Sequence, residues 1–117
     1  MLKKQNRITN KKDFDRAFKA GQSFYGKVVG LKLVINNLTH NRFGIIISAK
    51  VSKKAVERNR IRRSIREEIK NFLNQATTGQ DFVFIVHPET NKLKPREIRL
   101  IINNLLTKAG QIDKNKA

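Results

Sequence analysis

Ile61, Ile65, Ile69 and Phe72 place the strongest constraint on how this chain can fold. At about 100° per residue they fall on one stripe of a helix spanning 55–73, and that stripe must be buried against a sheet. The same stretch holds the densest charge in the sequence, "KKAVERNRIRRSIREEIK" from Lys53 to Lys70. Beside the stripe, within roughly a quarter turn, lie Asn59, Arg62, Arg63, Arg66 and Lys70. Glu57, Glu67 and Glu68 occupy the remaining side, Arg60 stands apart from the basic strip, and Arg58 lies near the apolar edge in the first turn. A helix charged only for solubility interleaves opposite charges for i,i+4 pairing. Here the acids are kept away from most of the cations, which points to a binding face. Lys53 and Lys54 are expected in the first turn, where cations oppose the helix dipole. Unpaired backbone N–H groups and lysines at one end suit a phosphate.

The overall balance says the same. The 117 residues carry 26 Lys and Arg against 9 Asp and Glu, a formal net charge of +17. Such an excess costs self-repulsion in a compact fold. A polyanion offsets it, nucleic acid first and an anionic membrane surface second. Bound anions are therefore expected to stabilise the free protein by mass action. The apolar runs are too short to span a bilayer, and the N-terminal "MLKKQNRITNKKDF" has no apolar secretory segment. The chain has no cysteine, which excludes disulfide and thiol chemistry and fits a cytoplasmic setting. Its length suits one domain, 1–110, with 111–117 ("QIDKNKA") as a solvated tail.

Punctuation along the chain sets the order of elements. Asn10 is expected to cap a helix over roughly 10–20, with Asp13 completing a capping box and Gly21 at the stop. "KVVGLKLVI" (27–35) and "RFGIIISA" (42–49) are β-branched runs separated by the turn residues "NNLTHN", and "DFVFIVH" (81–87) is a further strand. The stretch from Gly21 to Val29 holds an irregular lead-in or a short extra strand. From Pro95 a long helix shows one apolar face, Ile98, Ile101, Ile102, Leu105, Leu106 and Ala109, ending at Gly110. The predicted fold is an α+β sandwich ordered helix, three strands, helix, strand, helix. The strands flanking the basic helix are predicted to be parallel, with that helix as their crossover.

"ERNRIRRSIRE", with its lead-in "SAKVSKKAV", resembles the signature of the bacterial ribonuclease P protein subunit, and "NRITNKKDFDRAFKAG" is similar to that family's N-terminal motif. The resemblance covers about 5–109. It implies a left-handed β-α-β crossover, against the general right-handed preference. It implies an RNA-binding subunit that pairs one-to-one with a catalytic RNA in removing the 5′ leader of precursor tRNA. The RNA holds the magnesium ions and performs the hydrolysis, and the protein binds no cofactor of its own and needs no protein partner. Carried over by motif, Lys53, Lys54, Arg58, Asn59, Arg60, Arg62, Arg63 and Arg66 contact the RNA subunit. Phe14, Phe18, Lys32, Ser48 and Lys50 belong to a cleft for the single-stranded leader. Relatives often carry an aromatic at the position aligned with Lys32, so charge replaces stacking there unless Phe24 or Tyr25 compensates.

From their spacing alone, Phe14 and Phe18 share one helix face, which suits core packing as well as base stacking. His40 and His87 are isolated, Glu67 and Glu68 suit ion pairs, and no phosphate-cradling glycine loop or metal-ligand spacing occurs. Two rival functions follow from the same composition: a ribosomal-type structural RNA-binding protein, and a self-sufficient nuclease. The second requires converging carboxylates or histidines, and the nine acids are spread mostly over helix surfaces.

Overall fold

A computed structural model describes residues 3–26, 28–72 and 79–109, without the side chain of Phe72. Helix α1 (Lys11–Ala20) is followed by strands β1 (Gln22–Tyr25), β2 (Val29–Ile35) and β3 (Arg42–Ile46). Helix α2 (Ala55–Phe72), strand β4 (Gln80–Val86) and helix α3 (Pro95–Lys108) complete the order. The expected extra strand is real and is β1. Gly110 and the tail 111–117 lie outside the described residues.

The sheet order is β1-β2-β4-β3. β2 pairs antiparallel with both β1 and β4, and β3 pairs parallel with β4, so α2 is the crossover between two adjacent parallel strands. Residues alternate between two faces. One face carries Leu31, Leu33, Phe43, Phe82 and Phe84, packed against Ile61, Ile65 and Ile69 of α2 and Ile98, Ile102, Leu105 and Leu106 of α3. Phe43 and Phe82 stack with ring centroids 4.8 Å apart. The other face is covered by α1 and the N-terminal segment, through Ala17 and Ile8 packed with Val83, Val34, Phe14, Ile46 and Ile85.

One glycine lets α1 sit that close, and another lets the helix end tightly. A Cβ on Gly44 would lie 2.5 Å from the Phe14 ring, and one on Gly21 would lie 2.2 Å from the Ala17 carbonyl oxygen. Gly21 ends α1 in an extended conformation, φ −75°, so space rather than a left-handed turn demands glycine there.

Three local expectations are corrected. The Asn10 side chain caps α1 by accepting from the Lys12 N–H, but Asp13 closes no capping box. Its carboxylate accepts from Arg42 Nη1 at 3.1 Å instead, because an ion pair with a half-buried guanidinium outcompetes a solvated cap. β3 ends at Ile46, short of residue 49, where its pairing with Ile85 runs out. Lys53 and Lys54 precede the first turn of α2. The Lys54 carbonyl accepts from the Arg58 N–H, and the Lys54 N–H donates to Ser52 Oγ, which places Lys54 at the N-cap.

Asp81 of β4 is fully buried and ties three other parts of the fold to its strand. It accepts two hydrogen bonds from Arg42 of β3, at 2.8 and 2.7 Å, one from Arg16 of α1 at 3.1 Å and one from Asn36 after β2 at 2.9 Å. Burial pushes its carboxyl pKa up, but the Arg42 and Asn36 hydrogen bonds and the neighbouring positive charge outweigh this and hold it below the usual carboxylate range. A depressed folded pKa means the stabilisation is present above the unfolded value, about 3.9, and is lost as pH falls through the folded value. Asp81→Asn is expected to cost about 3 kcal/mol at neutral pH, the low end for breaking a buried pair because Arg16 and Arg42 keep some access to water. Melts from pH 7 down to pH 2 check this: the wild-type midpoint drops below about pH 4, and that of the variant starts lower and drops less across the same window.

Candidate nucleic-acid interface

The acids of α2 are all turned away from its basic strip. The Glu57 carboxylate accepts from Ser52 Oγ and from Asn91 in the 3-10 turn Pro88–Lys92, and the Ser52 hydrogen bond holds its pKa below the usual carboxylate range. Glu67 pairs with Arg99 of α3 at 3.3 Å, and Glu68 accepts from Asn103 of α3 at 3.1 Å. Arg60 also points this way, donating to the Asn91 carbonyl at 3.4 Å. Arg58 donates to the Ser52 carbonyl at 2.7 Å, so it ties the helix to its lead-in.

The strip itself has no acid. Arg62 donates to Asn59 Oδ1 at 2.7 Å, a bond that aligns both side chains, and Arg63 and Lys70 are exposed. Among the described residues, none of Arg62, Arg63 or Arg66 makes an ion pair. Lys53 and Lys54 extend the exposed positive surface beyond the N-terminus of the helix.

A second surface lies on the α1 side of the sheet. Cross-strand partners there form the rows Ser23, Lys32, Val83, Gly44 and then Tyr25, Gly30, Ile85, Ile46. Phe14 covers Gly44 and is half-buried, so packing claims most of it. Phe18, one turn further along α1, is 43% exposed. The Lys32 ammonium donates to Ser23 Oγ. A Cβ on Gly30 would meet only the Phe24 carbonyl oxygen, at 3.9 Å, so the second row is open above it. Phe24 packs into the main core and cannot replace a cleft aromatic, whereas Tyr25, opposite Gly30, is 70% exposed. Ser48 and Lys50 are exposed in the turn after β3, at the end of the sheet where this open row lies. The structure therefore brings Phe18, Lys32, Gly30 and Ile85 onto one face, with Ser48 and Lys50 at its rim.

Sequence inspection missed Arg7. Its backbone bridges to Phe43 on the free edge of β3, and its side chain meets Arg62 and Arg66 at one cavity. No local pattern marks it, because the contact depends on how the N-terminal segment lies along the sheet. His40 and His87 stay apart, and among the described residues no three His, Asp or Glu side chains gather to hold a metal. Among those residues no helix is long and apolar enough to cross a membrane.

The family model for ribonuclease P matches residues 2–110. The chain belongs to the ribonuclease P protein family. It is 34% identical over 116 residues to the ribonuclease P protein component of a Pseudanabaena species, covering 98% of this chain and all of that one. It is 34% identical over 108 residues to the component of Clostridium botulinum strain Loch Maree, covering 92% and 96%. Among solved structures, the Staphylococcus aureus protein superposes with a TM-score of 0.86 at 28% identity, covering 92% of this chain and 98% of that one. The Thermotoga maritima protein gives 0.78 at 25% identity, covering 87% and 96%. The four-stranded sheet with three helices is thus the family's fold. Family membership makes the chain a component of an endoribonuclease complex that works with a catalytic RNA subunit in tRNA 5′ processing.

If the acid-free strip carries the RNA, its contacts are to phosphates and its affinity is salt-dependent. Arg63→Gln and Arg66→Gln are each expected to lower the slope of log affinity against log salt for ribonuclease P RNA by roughly one unit. Titrations at several salt concentrations check this, and an unchanged slope in both variants places the RNA elsewhere.

Proposed function

We propose that this chain is the non-catalytic, RNA-binding subunit of the complex, joined one-to-one to the catalytic RNA through α2 and gripping the precursor tRNA leader on the α1 side of the sheet. The observation that carries this is the sorting of charge on α2, where every acid faces α3 or the 3-10 turn and the cations opposite are left without one. In this division of labour the RNA holds the magnesium ions and cleaves the phosphodiester bond, in the cytoplasm. The protein contributes positive charge, which lowers the repulsion between the RNA and its substrate. It also contributes a sheet face on which a single strand can lie. Lys53, Lys54, Asn59, Arg62, Arg63 and Arg66 contact the RNA subunit in this proposal, with Arg58 and Arg60 holding the helix in place. Phe18, Lys32, Ser48 and Lys50 contact the leader, with Phe14 as its packed wall.

Reconstitution with a bacterial ribonuclease P RNA at low magnesium is the direct test, following 5′ maturation of a precursor tRNA. Stimulation by the protein is expected. Binding without stimulation fits a ribosomal-type RNA-binding protein, and cleavage by the protein alone fits a self-sufficient nuclease.

The two aromatics of α1 should separate in their effects. Phe18→Ala removes an exposed platform, so it is expected to weaken precursor tRNA binding by about 1–3 kcal/mol per stacked base while leaving mature tRNA binding and the melting midpoint nearly unchanged. Phe14→Ala opens a void over Gly44 and is expected to cost roughly 3 kcal/mol of stability. Affinities for both tRNA forms, with a melt of each variant, check this. Equal losses for both tRNA forms in Phe18→Ala remove it from the leader surface.

A further inference from the structure

Arg7, Arg62 and Arg66 line one cavity of about 130 Å³, floored by Phe14 and Gly44. It opens where α2, the free edge of β3 and the N-terminal segment meet. Three guanidinium groups therefore converge on a partly enclosed space, and among the described residues none of them pairs with an acid. Other arginines are treated differently: Arg16 and Arg42 share Asp81, and Arg99 has Glu67. The Nε of Arg7 is shut off from solvent and has no hydrogen-bond partner. Burial, and then the charges of Arg62 and Arg7, make the Arg66 guanidinium harder to keep protonated than usual.

Like charges brought together out of water repel strongly, and a chain this basic has ample surface on which to keep them apart. The lining holds no acidic residue, so the group that compensates the cluster must bring its own negative charge. The guanidinium fork matches a tetrahedral oxyanion with two parallel hydrogen bonds. We propose that Arg7, Arg62 and Arg66 form a pocket for one phosphate group of an RNA backbone, at the seam between the α2 strip and the α1-side surface. This rests on the assignment of α2 as an RNA face, and it adds the N-terminal segment as a third wall.

The test uses the full chain and the variants Arg7→Gln, Arg7→Lys, Lys92→Gln and Arg63→Gln, with inorganic phosphate as the first probe. In low-salt, phosphate-free buffer, Arg7→Gln is expected to melt at or above the wild-type midpoint, because it relieves repulsion. As phosphate is added the wild type overtakes it, and the half-saturating phosphate concentration of Arg7→Gln rises about tenfold or more, the loss expected for a charged hydrogen bond. Arg7→Lys, which keeps the charge but not the fork, falls between the two. Lys92→Gln, a charge-matched change on an exposed side chain in the 3-10 turn, keeps the wild-type response. Equal weakening in Lys92→Gln overturns the pocket in favour of diffuse charge. An Arg7→Gln midpoint below wild type with an unaltered phosphate response makes Arg7 merely structural and also overturns it.

Ribonuclease P RNA is the second probe, and it separates a backbone phosphate from a free ion. Arg7→Gln is expected to lower the salt slope by about one unit. A phosphate response without an RNA effect means that the pocket takes only free anions, which overturns the RNA assignment. If Arg63→Gln weakens RNA binding and Arg7→Gln does not, the pocket fails while α2 stands. If neither variant weakens it, the assignment of α2 fails as well.

Discussion

Carboxylates are scarce in this molecule, with nine against 26 lysines and arginines, so wherever they are placed decides where positive charge is left over. Asp81 and Asp13 are spent at one end of the sheet, where Arg42 and Arg16 join β3 and α1 to β4. Glu57, Glu67 and Glu68 are spent on the far side of α2, where they face Asn91, Arg99 and Asn103. The strip opposite them receives nothing. Positive charge is thereby left over where an RNA can neutralise it, while the buried Asp81 carboxylate has four hydrogen bonds.

The Asp81 cluster also shapes the second surface. It ties α1 to one end of the sheet through Arg16, while Ile85 and Ile46 of the row beyond pack only partly against the Ala17 cluster. Glycine at position 44 lets the Phe14 ring descend onto the strand, and glycine at position 30 leaves room for a further side chain in the adjoining row. Phe18 is then carried to the edge of the covered zone, which makes it available to a ligand where Phe14 is not. The two phenylalanines thus differ in packing and exposure although they lie one turn apart.

Periodicity was enough to place the three helices, the crossover and the apolar stripe of α2, because buried apolar residues repeat at the period of their element. Capping by Asn10 was legible for the same reason, being local. The Asp81 cluster was not, since its members come from α1, β3, β4 and the loop after β2, and only the pairing of strands unites them. Asp13 read as a cap because its distant partner Arg42 is invisible to neighbours in sequence. Arg7 was missed on the same ground, and Phe14 and Phe18 could not be told apart without the glycine beneath one of them. The signature around Arg58–Arg66 showed the basic face but not that Arg58 and Arg60 are partly tied down by Ser52 and Asn91.

In the proposed complex, the uncompensated face of α2 is the one that meets RNA. Arginine-directed chemical modification, read residue by residue by mass spectrometry with and without ribonuclease P RNA, tests it most directly. Arg62, Arg63 and Arg66 are expected to be protected in the complex, while Arg96 and Arg99 on α3 react as in the free protein. Protection of the α3 arginines with unchanged reactivity along α2 would contradict it.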